Sequence, residues 1–140
     1  MDWNVELTIA LRALVAALLG ALIGLDRQRH GYEAGVRTFA SVALGASAFA
    51  AISIHLPSIV GGTSVSTVDP SRIASNVVGA VGFLGAGVLL RDRGGRMKGL
   101  TTAATIWATA SVGLAAGFGK FMLATLLALI TAAILLSHHF

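Results

Sequence analysis

The chain has no cysteine, only two prolines and few charged residues, which make up 11% of it. Without cysteine it can form neither disulfide bonds nor zinc sites with thiolate ligands. A typical soluble domain is about 25% charged, and so few charges cannot cover a chain that is 56% hydrophobic. These shortages exclude a disulfide scaffold, a disordered tail and an ordinary water-soluble domain. They predict a protein whose solvent is lipid.

Apolar runs recur along the whole chain, and each approaches the roughly 20 residues that a helix needs to cross hydrocarbon. The runs are too long and too rich in Gly, Ala and Leu for strands, and an open sheet would leave unpaired edges in lipid. The sequence therefore predicts an all-α bundle of five transmembrane helices. We expect one domain over residues 1–140, with no soluble C-terminal domain. The predicted spans are about Leu7–Leu25, Val36–Leu56, Ile73–Leu90, Leu100–Phe118 and Phe121–Leu136.

Basic residues are concentrated in the first and third connections between these runs. The positive-inside rule places both connections in the cytoplasm, so the N-terminus lies outside and the C-terminus lies in the cytoplasm. Only one aromatic residue, Tyr32, lies among these basic residues, whereas a single-strand binder requires several aromatic platforms, which argues against nucleic acid as a partner. The residues are Arg27, Arg29 and Arg37 in the first connection, and Arg91, Arg93, Arg96 and Lys98 in the third.

The second connection is polar and ends in a helix-start signal. The Gly-Gly-Thr-Ser stretch at 61–64 predicts a flexible turn. Asp69 is suited to the N-cap position, and Pro70 to the first position of the helix that follows.

Glycines recur at spacings that place them along one face of a helix. Small residues let helices approach closely in lipid, where no hydrophobic effect drives them together. We expect these glycines to line intramolecular packing faces or a dimer interface, or to break a helix for a substrate. They are Gly20 and Gly24 in the first span, Gly79, Gly82 and Gly85 in the third, and Gly113 and Gly117 in the fourth.

Arg12 lies about five residues inside the first span, where a charge costs about 2.5–3.5 kcal/mol on insertion scales. One interpretation is that its side chain extends outward to the interface. The other is that it pairs with an outer carboxylate, for which Asp69 is better placed than Glu6.

Two polar positions flank the first connection. Asp26 ends the first span, and Arg37 with Thr38 opens the second. The connection could bring them together, with Arg91 as another partner. They form either a solvated interface or a buried charge network at the mouth of the bundle.

Further polar residues lie at the ends of the third and fourth spans. Arg72 and Asn76 occupy the first turns of the third span, and Thr101, Thr102 and Thr105 the start of the fourth. The threonine hydroxyls either bond back to helix carbonyls or line a polar cavity between these two spans.

The sequence offers no catalytic or metal-binding pattern. It has no Ser/His/Asp arrangement and no paired carboxylates within one span, and the adjacent His138 and His139 point in different directions on a helix. We therefore expect a protein that is not an enzyme and has neither a cofactor nor a metal site.

Four stretches, taken together, resemble the N-terminal membrane domain of the MgtC/SapB family, in the family's order and over residues 12 to 118. The resemblance implies a multi-pass bacterial inner-membrane protein with about five helices. The stretches are GALIGLDRQ (20–28), GVRT with VALG (35–45), DPSRIA through GFLGAG (69–87) and KGLTTAATIW (98–107).

This resemblance also carries functional expectations. The family is linked to growth in low magnesium and, in pathogens, to survival inside phagocytes. Its founding members look like regulators of other membrane machines, including the F-type ATP synthase and transport systems. Some relatives carry Gln at the position of Asn76 and Asn at that of Thr101. The family's polar positions match Asp26, Arg37, Thr38, Asp69, Arg72, Arg91, Thr101 and Thr102.

Two functions follow for testing. The first is a non-enzymatic regulator whose small-residue helix faces contact a partner or a second copy in a homodimer. The alternative is a small transporter or channel, with magnesium as a candidate ion, whose path includes Arg12, Asp69, Asn76 and the threonine cluster.

Overall fold

The computed structural model describes residues 2–59, 69–91 and 93–139, and the side chains at positions 91 and 139 lie outside the description. The turn predicted at 61–64 is also outside it. Five α-helices fill most of the described chain, which confirms their predicted number and order. They are α1 (Trp3–Arg29), α2 (Val36–Ile59), α3 (Ser71–Gly87), α4 (Leu100–Gly117) and α5 (Phe121–Leu136), and a 3₁₀ turn (Ser137–His139) follows α5.

The third connection contains a feature that the hydropathy pattern did not predict. Strands β1 (Leu90–Arg91) and β2 (Met97–Lys98) pair antiparallel, with Leu90 opposite Lys98. The two strands form a hairpin within the short connection between α3 and α4. Gly99 then starts α4 with φ +89°, and a side chain there would also clash with the carbonyl of Val88. Only glycine fits this position easily.

Three of the described helices, α1, α2 and α4, are long and apolar enough to cross a membrane. α5 is apolar but has 16 residues, a length of about 24 Å at the α-helical rise. α3 has 17 residues and carries polar groups in its first turns. The five helices are therefore established, whereas five complete crossings stay a prediction.

The start of α3 differs by one residue from the prediction. The helix begins at Ser71, so Pro70 occupies the N-cap position. Asp69 still acts on the helix start, because its Oδ1 accepts hydrogen bonds from the backbone N–H of Ser71 at 2.9 Å and from the Ser71 hydroxyl at 2.7 Å.

Helix α2 packs against both α1 and α4, which also contact each other, and glycines on both neighbours approach its backbone closely. A Cβ at Gly20 of α1 would clash with the carbonyl oxygen of Phe39, and one at Gly113 of α4 with the carbonyl oxygen of Ala43. The pairs Gly20/Gly24 and Gly113/Gly117 thus both act as packing faces against the α2 region. A Cβ at Gly85 of α3 would lie 3.6 Å from the Cβ of Ala103 on α4, an ordinary van der Waals distance.

Alanine, glycine, serine and threonine make up much of the interior, with a few large side chains such as Phe39, Ile23 and Ile106, and most of the other large apolar side chains lie outside. The buried residues of α2 are mainly alanine and serine. Soluble proteins rarely expose large contiguous apolar surfaces, so this arrangement fits a lipid environment. On α1 one continuous outward stripe consists of Leu7, Leu11, Leu14, Leu18, Leu22 and Leu25.

Candidate functional site

One end of the bundle holds a cavity of about 640 Å³. Its walls come from the end of α1, the α1–α2 connection, the end of α3, the hairpin, the start of α4 and the end of α5. The first and third connections, which the positive-inside rule predicts to be cytoplasmic, therefore meet at the same end of the bundle. The volume is within the range of small-molecule sites, about 300–1,000 Å³.

Arg27 is the most buried charged group at this cavity. The residue is 4% exposed, and its guanidinium donates a hydrogen bond to the hydroxyl of Thr102 on α4. The guanidinium carbon lies 3.5 Å from the centroid of the Tyr32 ring, a cation–π contact. The Nε atom is buried and has no hydrogen-bond partner among the described residues. Arg27 thus joins α1, the first connection and α4.

The start of α4 forms the opposite wall. No side chain caps this helix, and the Gly99 carbonyl accepts from the Ala103 amide. The amide groups that precede Ala103 have no partner within the helix, and they carry partial positive charge. The hydroxyl of Thr102 accepts from Arg27 and keeps its own proton for a further acceptor. This wall therefore offers hydrogen-bond donors to the cavity.

Asp26 and Arg37, which the sequence suggested as members of one charge network, do not pair with each other in the described structure. Asp26 Oδ1 lies 3.4 Å from Nδ1 of His30, one turn further along the chain. Arg37 is exposed and Thr38 is half-buried on α2, and within residues 2–59 no ion pair joins Arg37 to Asp26. The side chain of Arg91 lies outside the described residues.

Arg12 has a partner that neither interpretation anticipated. Its Nη1 donates a hydrogen bond of 2.9 Å to the carbonyl oxygen of Gly117, in the last turn of α4. The interpretation that pairs Arg12 with Asp69 is wrong, because among the described residues no ion pair joins Arg12 to a carboxylate, and Asp69 accepts from Ser71. The carbonyl groups at a helix C-terminus lack intrahelical partners and carry partial negative charge, so they attract a cation.

The start of α3 lies near the opposite end of the bundle from the cavity. There the Ser71 hydroxyl and the Ser71 amide lower the pKa of Asp69 below its usual value, and the charge of Arg72 acts in the same direction. The Ser53 hydroxyl donates a 2.7 Å hydrogen bond to the carbonyl of Pro70, which fastens α2 to the start of α3. Arg72 and Asn76 are exposed on α3.

The threonines at the start of α4 were expected either to bond back to helix carbonyls or to line a polar cavity, and the structure shows both. The Thr105 hydroxyl bonds back to the carbonyl of Thr101 at 2.7 Å. Thr101 and Thr102 line the cavity, and Thr102 is buried there. The cavity does not include Arg12, Asp69 or Asn76, so the residues expected along one path do not share it.

Sequence reasoning placed Arg27 among the orienting charges and missed its burial. A usable signal existed, because Arg27 follows Gly20 and Gly24 at helical spacing and so shares their packed face. The described residues bring no group of three or more His, Cys, Asp or Glu together to hold a metal.

The sequence profile described as the MgtC family matches residues 13–140. The chain is 44% identical over 130 residues to the protein SrpB of Synechococcus elongatus, covering 87% of this chain and 68% of SrpB. It is 45% identical over 111 residues to the protein MgtC of Salmonella typhimurium, covering 79% of this chain. The match spans only 44% of that MgtC protein. No solved structure matches the chain. With these likenesses and its long apolar helices, the chain belongs to the MgtC family of membrane proteins.

Proposed function

We propose that this chain is a non-enzymatic regulator in the bacterial inner membrane that acts by helix-to-helix contact with other membrane proteins. The observation that carries the proposal is the outward face of α3. A Cβ added at Gly79 or Gly82 would meet no described atom within 4 Å. At Gly20 and Gly113, by contrast, atoms of α2 already occupy the space where a Cβ would lie. Next to these glycines, the Phe83 ring is 81% exposed.

This face has the composition of a helix interface in lipid. Glycine allows a second helix to approach closely and gain dispersion contacts that lipid tails do not supply. The occupant we propose first is α3 of a second copy, which gives a homodimer. A larger membrane machine, such as the F-type ATP synthase or a transporter, would use the same face.

We also propose that the cavity end faces the cytoplasm and that the regulation serves adaptation to low magnesium, with a link to virulence in pathogens. The exposed basic residues near the cavity, including Arg29 and Lys98, support the orientation through the positive-inside rule. The magnesium role follows from the family resemblance.

Cysteine cross-linking tests the contact, because the native chain has no cysteine. Gly79→Cys and Gly82→Cys should each give disulfide-linked dimers in native membranes. Leu18→Cys, on the outward stripe of α1, is the matched control and should stay monomeric. Equal cross-linking at all three positions would indicate random collision and contradict the dimer.

Affinity capture tests the contact with other machinery. The native chain and a Gly79→Leu variant are recovered from membranes of cells grown in low magnesium. A membrane partner held by the native chain and lost with the variant is the expected result. Capture of the same proteins by both chains would contradict a role for this face.

Transport is the alternative function. Under that hypothesis, liposomes that contain the protein take up magnesium down a gradient faster than empty liposomes. We expect equal rates, because the polar residues predicted along a path are divided between opposite ends of the bundle.

A further inference from the structure

Arg27 carries a permanent charge in a buried place. Guanidinium stays protonated in proteins, so burial cannot neutralise it. Among the described residues, no carboxylate lies within ion-pair distance of it, and its Nε has no partner. The Tyr32 ring and the Thr102 hydroxyl compensate only part of the lost hydration. A buried charge of this kind is stable when an anion accompanies it.

The groups opposite Arg27 are also suited to an anion. The uncapped start of α4 lines the same cavity, and helix N-termini bind phosphate and carboxylate through free amide groups. Lys98, the residue before Gly99, adds a second cationic side chain to the lining. Three independent features, a buried cation, a helix N-terminus and a lysine, therefore converge on one space.

Two carboxylates line the cavity as well and limit the charge that it accepts. Asp26 faces His30 at 3.4 Å, and Glu33 is exposed in the α1–α2 connection. Neither pairs with Arg27, yet both repel a multiply charged ligand. The remaining walls include the apolar side chains of Met97, Ile134 and Leu135. A phosphate group with a single negative charge suits this lining, and the apolar walls add contact where the phosphate belongs to a lipid.

We infer that this cavity is a binding site for a phosphate group, held by Arg27, Lys98 and the N-terminus of α4. The phosphate comes either from the headgroup of an anionic lipid or from a free phosphate ion. Basic pockets between membrane helices on the cytoplasmic side are known places for anionic headgroups. The ligand ties α1 to α4 by neutralising Arg27, the buried charge on α1 that bonds to Thr102 on α4.

Binding to the purified, delipidated full chain in dodecyl maltoside and phosphate-free buffer tests the inference. One arm adds inorganic phosphate and follows it by ³¹P NMR. The other adds phosphatidylglycerol and counts retained molecules by native mass spectrometry. The variants are Arg27→Gln and Lys98→Gln, and the matched control is Arg29→Gln, which removes an exposed arginine outside the cavity.

The native chain and Arg29→Gln should bind at least one probe with equal affinity. Arg27→Gln should weaken that binding at least about tenfold, as expected for a lost charge-assisted hydrogen bond. Lys98→Gln should weaken it by about threefold, because its cation is exposed and screened. Binding of phosphatidylglycerol alone identifies the lipid as the source, and binding of inorganic phosphate identifies the free ion.

Two results overturn the inference. One is that neither probe binds the native chain. The other is that Arg27→Gln and Lys98→Gln bind the probes as tightly as Arg29→Gln, which leaves Arg27 as a structural link between α1 and α4. Lys98 is exposed, so its variant keeps the test decisive even where Arg27→Gln fails to fold.

Discussion

The guanidinium of Arg12 donates a 2.9 Å hydrogen bond to the carbonyl oxygen of Gly117, so α1 supplies the C-terminal cap of α4. The chain turns at Gly119, with φ +78°, and the Arg12 side chain lies beside it. The left-handed conformation and the guanidinium leave no easy place for another side chain. Hydropathy alone suggests that the charge of Arg12 is costly within an apolar helix. The structure shows that this charge caps α4 and fastens α4 to α1.

Arg12→Ala should destabilise the bundle. It removes a hydrogen bond from a charged donor, and we expect a loss of about 1–3 kcal/mol in the free energy of unfolding. Thermal unfolding in dodecyl maltoside, followed by circular dichroism, measures the effect. The control is Lys120→Ala, an exposed cation near the same turn, which should change stability by about 0.5 kcal/mol or less. Equal losses from both variants would contradict the capping role.

Gly113→Ala should be destabilising, because the added methyl group meets the carbonyl oxygen of Ala43. Overpacking of this kind costs about 1–3 kcal/mol. Gly45→Ala, inside α2, is the matched control, since the same methyl group meets no described atom within 4 Å. We expect that variant to be as stable as the native chain or up to about 1 kcal/mol more stable, because alanine is the better helix former. The same unfolding assay distinguishes the two, and a Gly113→Ala variant as stable as Gly45→Ala would contradict close packing at Gly113.

Asp69 should titrate below its usual pKa of 3.8 because the Ser71 hydroxyl and amide hydrogen-bond its charged form. A lowered pKa in the folded state means that the carboxylate stabilises the fold above pH 3.8 and loses this contribution as the pH falls further. Ser71→Ala should raise the pKa towards its usual value. Carboxyl ¹³C NMR of the two proteins measures the change, and an identical titration in both would show that Ser71 is not the cause.

Single-cysteine labelling on intact cells tests the orientation. Asn4→Cys should react with an impermeant maleimide, whereas Glu33→Cys should react only after the membrane is opened. Both positions are exposed in the structure, and neither substitution removes a basic residue that sets the topology. The reverse pattern would invert the bundle in the membrane and contradict the cytoplasmic cavity.

Most of the fold could be predicted from the sequence because lipid forces each apolar run to satisfy its own backbone groups. α2, α4 and α5 accordingly begin at the predicted residues. The hairpin escaped prediction because β1 and β2 have two residues each, which is too short for a periodic pattern.

The site was harder to predict than the fold. Hydropathy shows where a charged residue lies along the chain, but not whether its side chain faces the interior of the bundle or the outside. Arg12 and Arg27 both face the interior of the bundle, and their partners Gly117 and Thr102 are distant in sequence. A backbone carbonyl at a helix C-terminus can belong to any residue type, so the sequence does not reveal Gly117 as the partner of Arg12 and favours a carboxylate instead.

The close packing of α2 against the glycines of α1 and α4 has a mechanical consequence. Sliding α2 along α1 or α4 would break the close contacts that its carbonyl groups and alanines make at Gly20, Gly113 and Gly117, so we expect these three helices to move together as one block. α3 has no such contact at Gly79 or Gly82 on its outward side, and its last residue, Gly87, lines the cavity. Tilting of α3 by a neighbour in the bilayer would therefore reshape that cavity while the block stays still.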